Sequence, residues 1–212
     1  MFHTFEHEVV PLEHITNQIT LRGSVETAPE FSHENHNKQF YRLTLSVPRL
    51  SGAVDTLNVM ADAELLNAVD TSPGAVLTIS GQIRSHNIRE DGVRHLLIFV
   101  FATQISNEDG EPVNQVTLDG PLCKDPIYRR TPLGREICDV MLAVQRSFRR
   151  ADYLPCILWG KIAHEVSRLH TNDRIHIYGR LQSRVYTKLT EQGAEHRTAF
   201  EVSALTAEIT EK

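Results

Sequence analysis

The run VNQVTLDGPLC, residues 113–123, alternates apolar and polar positions and predicts a β-strand, with Gly120 placed for a bulge or bend. REICDVMLAVQR (135–146) and DYLPCILWG (152–160) predict two further strands. The period then changes: in IAHEVSRL (162–169), Ile162, Val166 and Leu169 fall on one face of a short helix. RIHIYGRLQSRVY (174–186) and HRTAFEVSALTAEI (196–209) predict a closing pair of strands joined by a polar loop that contains Gly193. Upstream, FYRLTLSV (40–47) and LLIFVFA (96–102) carry apolar strand patterns, and FSHENHNKQ (31–39) reads as a polar loop.

The two halves are copies. NQITLRG at 17–23 recurs as NQVTLDG at 114–120, an offset of 97. At that offset Pro29 meets Pro126, LSVPR (45–49) meets LAVQR (142–146), and Asp55-Thr56-Leu57 meets Asp152-Tyr153-Leu154. After one inserted residue, SGQIRS (80–85) meets YGRLQS (178–183). The polar stretch NEDGEPVN (107–114) suits a linker, so two domains are expected, 1–108 and 109–212. Three strands, one helix and two more strands is the order of an OB-fold. The expected fold class is therefore all-β, two tandem OB-fold barrels of five strands, each with one short helix. A β-sandwich gives no reason for a single helix at the same place in both copies.

Composition adds exclusions. Charged residues are 23% and apolar residues 41%, an ordinary mix for a globular chain with a core. The start, MFHTFEHEVVPLE, carries Glu6, Glu8 and Glu13 and no Lys or Arg, unlike a secretory signal. The longest apolar run, Leu96 to Ala102, is too short to span a bilayer. A cytoplasmic protein with no membrane partner is expected. There is no P-loop, metal-ligand cluster or nucleophile motif, so neither an enzyme nor a cofactor nor a metal is expected. Cys123, Cys138 and Cys156 are too widely spaced for a CxxC site and read as buried small hydrophobes. His33 and His36 read as part of a solvated loop.

Charge and aromatics point to chemistry. Residues 124–150 hold seven cations, Lys124, Arg129, Arg130, Arg135, Arg146, Arg149 and Arg150, against three anions, Asp125, Glu136 and Asp139. Phe148, Tyr153, Trp159 and Tyr186 interleave and follow. Sequence-tolerant binding of single strands needs this pairing, cations for phosphates and flat rings for bases. Two readings stay open for Tyr153 and Trp159, since strand aromatics also pack inward.

The pieces NQVTLDG (114–120), DP (125–126) followed by Arg129, Thr131 and Gly134, LAVQR (142–146), AD (151–152), WGKIA (159–163) and GRLQSR with Tyr186 (179–186) stand in family order and spacing. On them the second copy resembles the bacterial single-stranded-DNA-binding protein family. The resemblance implies base stacking by Phe148, Tyr153, Trp159 and Tyr186. Arg129, Arg130, Arg146, Arg149, Arg150, Lys161 and Arg184 complete the expected nucleic-acid surface. It further implies four OB-folds per assembly, hence a homodimer of this chain. The family often ends in a flexible tail with an acidic, hydrophobic tip that recruits partners. This sequence stops at ALTAEITEK, so tail-mediated recruitment is not expected.

The copies differ in charge. Residues 1–112 hold 7 Lys+Arg and 15 Asp+Glu, net −8, whereas residues 113–212 hold 15 and 12, net +3. Carried back through the repeat, the four stacking positions fall on Ser51, Thr56, Asp62 and Ile88, none aromatic, and Arg129 and Arg130 fall on Ser32 and His33. The first copy is thus expected to be mainly scaffold, an acidic barrel being a poor partner for a polyanion. Two functions stay open: a protein that coats single-stranded DNA in replication, recombination or transfer, and a primosome-type scaffold whose barrels bind proteins or RNA.

Overall fold

The computed structural model describes residues 16–90, 93–146, 150–190 and 193–210. The first copy forms β1 (Asn17–Asn35), β2 (Lys38–Pro48), β3 (Val54–Asp62), α1 (Ala63–Asn67), β4 (Val76–Glu90) and β5 (Val93–Ser106). The second forms β6 (Val113–Pro121), β7 (Ile127–Arg130), β8 (Glu136–Arg146), β9 (Arg150–Trp159), α2 (Gly160–Val166), β10 (Arg174–Thr190) and β11 (Gly193–Thr210).

Each copy closes into an OB-fold barrel. β1 lies antiparallel to β4 with its first half and to β2 with its second. β2 continues to β3, β3 pairs parallel with β5, and β5 returns to β4. In the second copy β6, β10, β11, β9 and β8 repeat this order, and a bridge between Leu122 and Leu142 closes it. The first strand must cross sharply between its two neighbours. At that crossing a Cβ on Gly23 would lie 2.3 Å from the Ser46 carbonyl oxygen, and one on the equivalent Gly120 would lie 2.6 Å from that of Ala143. Only glycine permits so close an approach. Strand alternation then fills the barrels: Leu43, Leu45 and Val47 of β2 are buried, as are Leu154, Cys156 and Leu158 of β9.

Two segments read as polar loops are paired strand. β1 runs to Asn35 and β2 starts at Lys38, with His36 (φ 51°) and Asn37 (φ 59°) alone forming the turn. Positive φ at both positions is the type I′ hairpin geometry. Likewise β10 and β11 extend to Thr190 and Gly193. These hairpins project beyond the barrels, where backbone pairing continues but neither face needs apolar residues. The short strand β7, paired with β8, also lacked a sequence signal. Among the described residues no helix is long and apolar enough to cross a membrane.

The copies are joined edge to edge. β1 pairs antiparallel with β6 over Asn17–Arg22 and Val113–Leu118, making one eleven-stranded sheet. In this register Ile19 faces Val116, and these two are separated by the repeat offset of 97. That pair therefore sits on a local pseudo-two-fold axis. The side chains obey it. Asn17 donates to the Ile83 carbonyl at 2.7 Å and accepts its N–H at 2.9 Å, and Asn114 does the same with Leu181 at 2.7 and 2.9 Å. Asp55, fully buried, accepts the Ser183 N–H at 2.8 Å and the Arg49 Nε at 2.7 Å, while Ser183 Oγ accepts the Thr56 N–H. Asp152, equally buried, accepts the Ser85 N–H at 2.7 Å, and Ser85 Oγ accepts the Tyr153 N–H. Each copy thus clasps the other's fourth strand, an isologous interface within one chain.

Candidate nucleic-acid interface

Because β9 buries Leu154, Cys156 and Leu158, its alternate residues Tyr153, Pro155, Ile157 and Trp159 take the opposite phase; Tyr153 and Trp159 are exposed and Pro155 half-buried, while Ile157 is covered. Tyr153 is 46% and Trp159 36% exposed, which decides between stacking surface and core: neither ring belongs to the core. Trp159 ends the strand and caps α2, and its indole N–H donates to Ser203 Oγ on β11 at 3.1 Å. Register carries the face onward. Asp139 lies opposite Ile157, Ile157 beside Ser203, and Arg180 opposite Ser203. Directly opposed residues share a face, so a lateral row crosses four strands beside the tryptophan, with Ile157 and Ser203 buried at its centre and Asp139 and Arg180 half-buried at its ends.

Tyr186 lies further along β10, on the projecting hairpin. It is 37% exposed and the Arg184 guanidinium stands 5.7 Å from its ring centroid. It lines a groove of about 790 Å³ that also receives Met141 and Pro155 from the barrel face, Phe200 from β11, and Ile88 and Leu97 from the first copy. The groove thus joins Tyr186 to the strand face that carries Tyr153 and Trp159. Phe148 and Arg149 lie outside the described residues.

The cations divide into two sets. Arg129 donates to Asp139 at 2.5 and 3.2 Å and Arg130 to Glu136 at 3.0 Å, both on the exposed β7–β8 edge. The hydrogen bonds they donate to these carboxylates hold both guanidinium groups above their ordinary pKa. Lys161 pairs with Glu165 one turn along α2 at 3.5 Å. Such exposed pairs contribute little and exchange a carboxylate for a phosphate readily. Arg150 and Arg184 are exposed and form no ion pair among the described residues. Arg146 is different. It donates to the buried Asp152 at 3.2 Å, so the structure gives it a place in the clasp between copies. The AD piece at 151–152 belongs to that clasp too.

Sequence reasoning missed two residues here. Arg180, inside GRLQSR, has a buried Nε with no hydrogen-bond acceptor among the described residues. Tyr128, beside the arginine pair, is 36% exposed and packs edge-on to His164 at 6.1 Å. Hydrogen bonding from Tyr128, then from Arg130, holds the Glu136 carboxyl below its usual range. The run Tyr128-Arg129-Arg130, an aromatic against two cations, was the available signal.

Comparison with known proteins identifies the family of the second barrel. The model of the Single-strand binding protein family matches residues 113–209. Single-stranded DNA-binding protein B of Bacillus subtilis is 40% identical over 80 residues, covering 34% of this chain and 71% of that protein. Single-stranded DNA-binding protein 1 of Staphylococcus aureus is 40% identical over 81 residues, 35% of this chain and 48% of that protein. The chain thus spans 71% of the first relative and about half of the second. The crystal structure of the wild-type single-stranded DNA binding protein from Thermus aquaticus superposes with a TM-score of 0.74 at 23% identity, covering 92% of this chain and 93% of that one. At that identity the likeness concerns fold, and it spans both barrels. On the match to its second barrel, this chain belongs to the single-strand binding protein family.

Proposed function

We propose that this protein binds single-stranded DNA with little sequence preference, on the outer face of its second barrel, in replication, recombination or DNA transfer. The observation that carries the reading is the exposure of Tyr153 and Trp159 on one strand face, with cations on the flanking β7–β8 edge and on β10. Rings stack on any base and cations follow the phosphates, so the surface fits a strand rather than a sequence. Phe148, matched to the family pattern, and Arg149, from the cation run 124–150, belong to the surface in this reading. A scaffold that binds mainly proteins is not favoured, since the relatives carry the name of single-stranded DNA binding.

An oligo-dT titration tests this. Trp159 is the chain's one tryptophan, and its emission should fall as strand is added. Log affinity should fall with log salt, with a slope of about −0.7 per phosphate contact. Unquenched emission at saturation, or equal affinity for duplex DNA, would contradict the assignment.

The family resemblance supports assembly as a homodimer, two chains supplying four barrels; symmetric dimers are the commonest closed oligomer. Light scattering should return the mass of two chains, and a mass of one or four chains would refute it.

A further inference from the structure

The first barrel lacks aromatics at the four positions carried back from the second, yet its outer face is aromatic. On β2, β3 and β5 the buried residues are Leu43 and Leu45, Val59 and Ala61, and Ile98 and Val100. The opposite phase of those strands presents Phe40, Arg42, Met60, Phe99 and Phe101. Phe40 and Phe101 lie 6.0 Å apart, His33 stacks on Phe40 at 5.0 Å and 15°, and Arg84 stands 5.8 Å from the Phe101 centroid. Together they make a continuous strip along a groove of about 530 Å³.

Comparing the copies explains why the strip is there. Register places Phe101 beside Met60, as it places Ser203 beside Ile157. Phe101 is therefore the counterpart of Ser203, the residue that holds the Trp159 indole. The counterpart of Trp159 is Asp62, whose carboxylate caps α1 by accepting the Leu65 N–H at 3.0 Å. One barrel brings its ring from the end of the third strand, over a small residue on the last strand. The other brings it from the last strand and leaves the third-strand end to a helix cap. In both, a ring serves the same part of the face.

We infer that the first barrel holds a second stretch of single-stranded nucleic acid on this strip, with Phe40 and Phe101 stacking bases and Arg42 meeting phosphate. The inference rests on the proposed function of the second barrel. Three observations support it. The groove is lined by two histidines and by no carboxylate, despite the copy's net −8, and of its three arginines Arg84 and the second copy's Arg146 are paired with the buried Asp152 behind it, which leaves Arg42 to meet phosphate. Arg42 is exposed and has no ion pair among the described residues. Leu97 lines both this groove and the one holding Tyr186, so a strand leaving the second barrel meets the first without a gap. The strand 2–3 face is also where OB-folds in general take oligonucleotides.

The test compares lengths. An OB-fold occupies roughly 4–16 nucleotides, so dT of about 10 nucleotides needs one barrel and dT of about 40 reaches both. In the wild-type chain, affinity should rise with length. Phe40→Ala/Phe101→Ala should bind the long strand at least about tenfold more weakly, while quenching of Trp159 by the short strand persists. Arg42→Ala, a surface change that leaves the fold intact, should make the long-strand salt slope shallower by about 0.7. Long-strand isotherms of both variants identical to wild type would overturn the inference alone. Failure of the wild-type chain to bind either length would overturn the proposed function with it.

Discussion

Asp152→Ala should destabilise the folded chain by about 3–5 kcal/mol, the range for removing one partner of a buried ion pair. Asp152 is fully buried and is the shared acceptor for Arg84 at 3.1 Å, Arg146 at 3.2 Å and the Ser85 N–H at 2.7 Å. Those donors come from both copies. Burial pushes the Arg84 guanidinium below its ordinary pKa, Asp152 opposes that push, and the positive charge of Arg146 adds to it. Without the carboxylate, two cations face each other across the seam and a buried amide loses its acceptor. Urea unfolding of the variant against wild type measures the loss. Asp55→Ala, its partner across the pseudo-two-fold, should cost a similar amount, because Asp55 holds Arg49 and the Ser183 N–H in the same way. Lys161→Ala, at a side chain that is 90% exposed, should change stability by no more than about 0.5 kcal/mol. A loss of less than about 1 kcal/mol for both aspartates would mean that the seam is held by β1–β6 pairing and packing instead.

The seam also marks where sequence reading stopped. Alternation alone gave the barrel strands, since a period of two with one buried face leaves few choices. The internal repeat gave two barrels. It did not reveal that Asp152 meets Ser85 and holds Arg146 beside it, because nothing local in LAVQRSFRRAD refers to residues 67 positions away. The arginine therefore read as a phosphate contact. The projecting hairpins read as loops for the opposite reason, being strands with no core to face.

The first barrel shows a different kind of miss. Carrying positions across the repeat assumed that a ring must come from the same residue in both copies. The exchange of Trp159 and Ser203 for Asp62 and Phe101 defeats that assumption while keeping a ring on the face. The phase of LLIFVFA held the clue: Leu97, Phe99 and Phe101 share the outward phase, and Ile98 and Val100 take the core. Phenylalanines on the solvent phase of a barrel strand stay half-buried after folding, and a contiguous strip of them is the apolar surface that a binding groove presents.

For the second barrel, Tyr153→Ala/Trp159→Ala should weaken oligo-dT binding by about 2–6 kcal/mol, two stacking contacts at about 1–3 kcal/mol each. The lower end is a loss of about 30-fold. The rings lie outside the core, so the variant should keep its fold. The clasp survives as well, because Tyr153 joins it through its backbone N–H and not through its ring. The indole does give up its hydrogen bond to Ser203, a modest cost at a partly exposed site. Circular dichroism and a thermal melt separate any folding defect from lost binding. Tyr153→Phe/Trp159→Phe decides what the rings contribute. It removes the phenol and the indole donor but keeps two flat faces. If stacking holds the strand, this variant should bind within about fivefold of wild type, a difference of roughly 1 kcal/mol. If instead it binds as weakly as the alanine variant, hydrogen bonds from these side chains hold the strand and the stacking assignment is wrong.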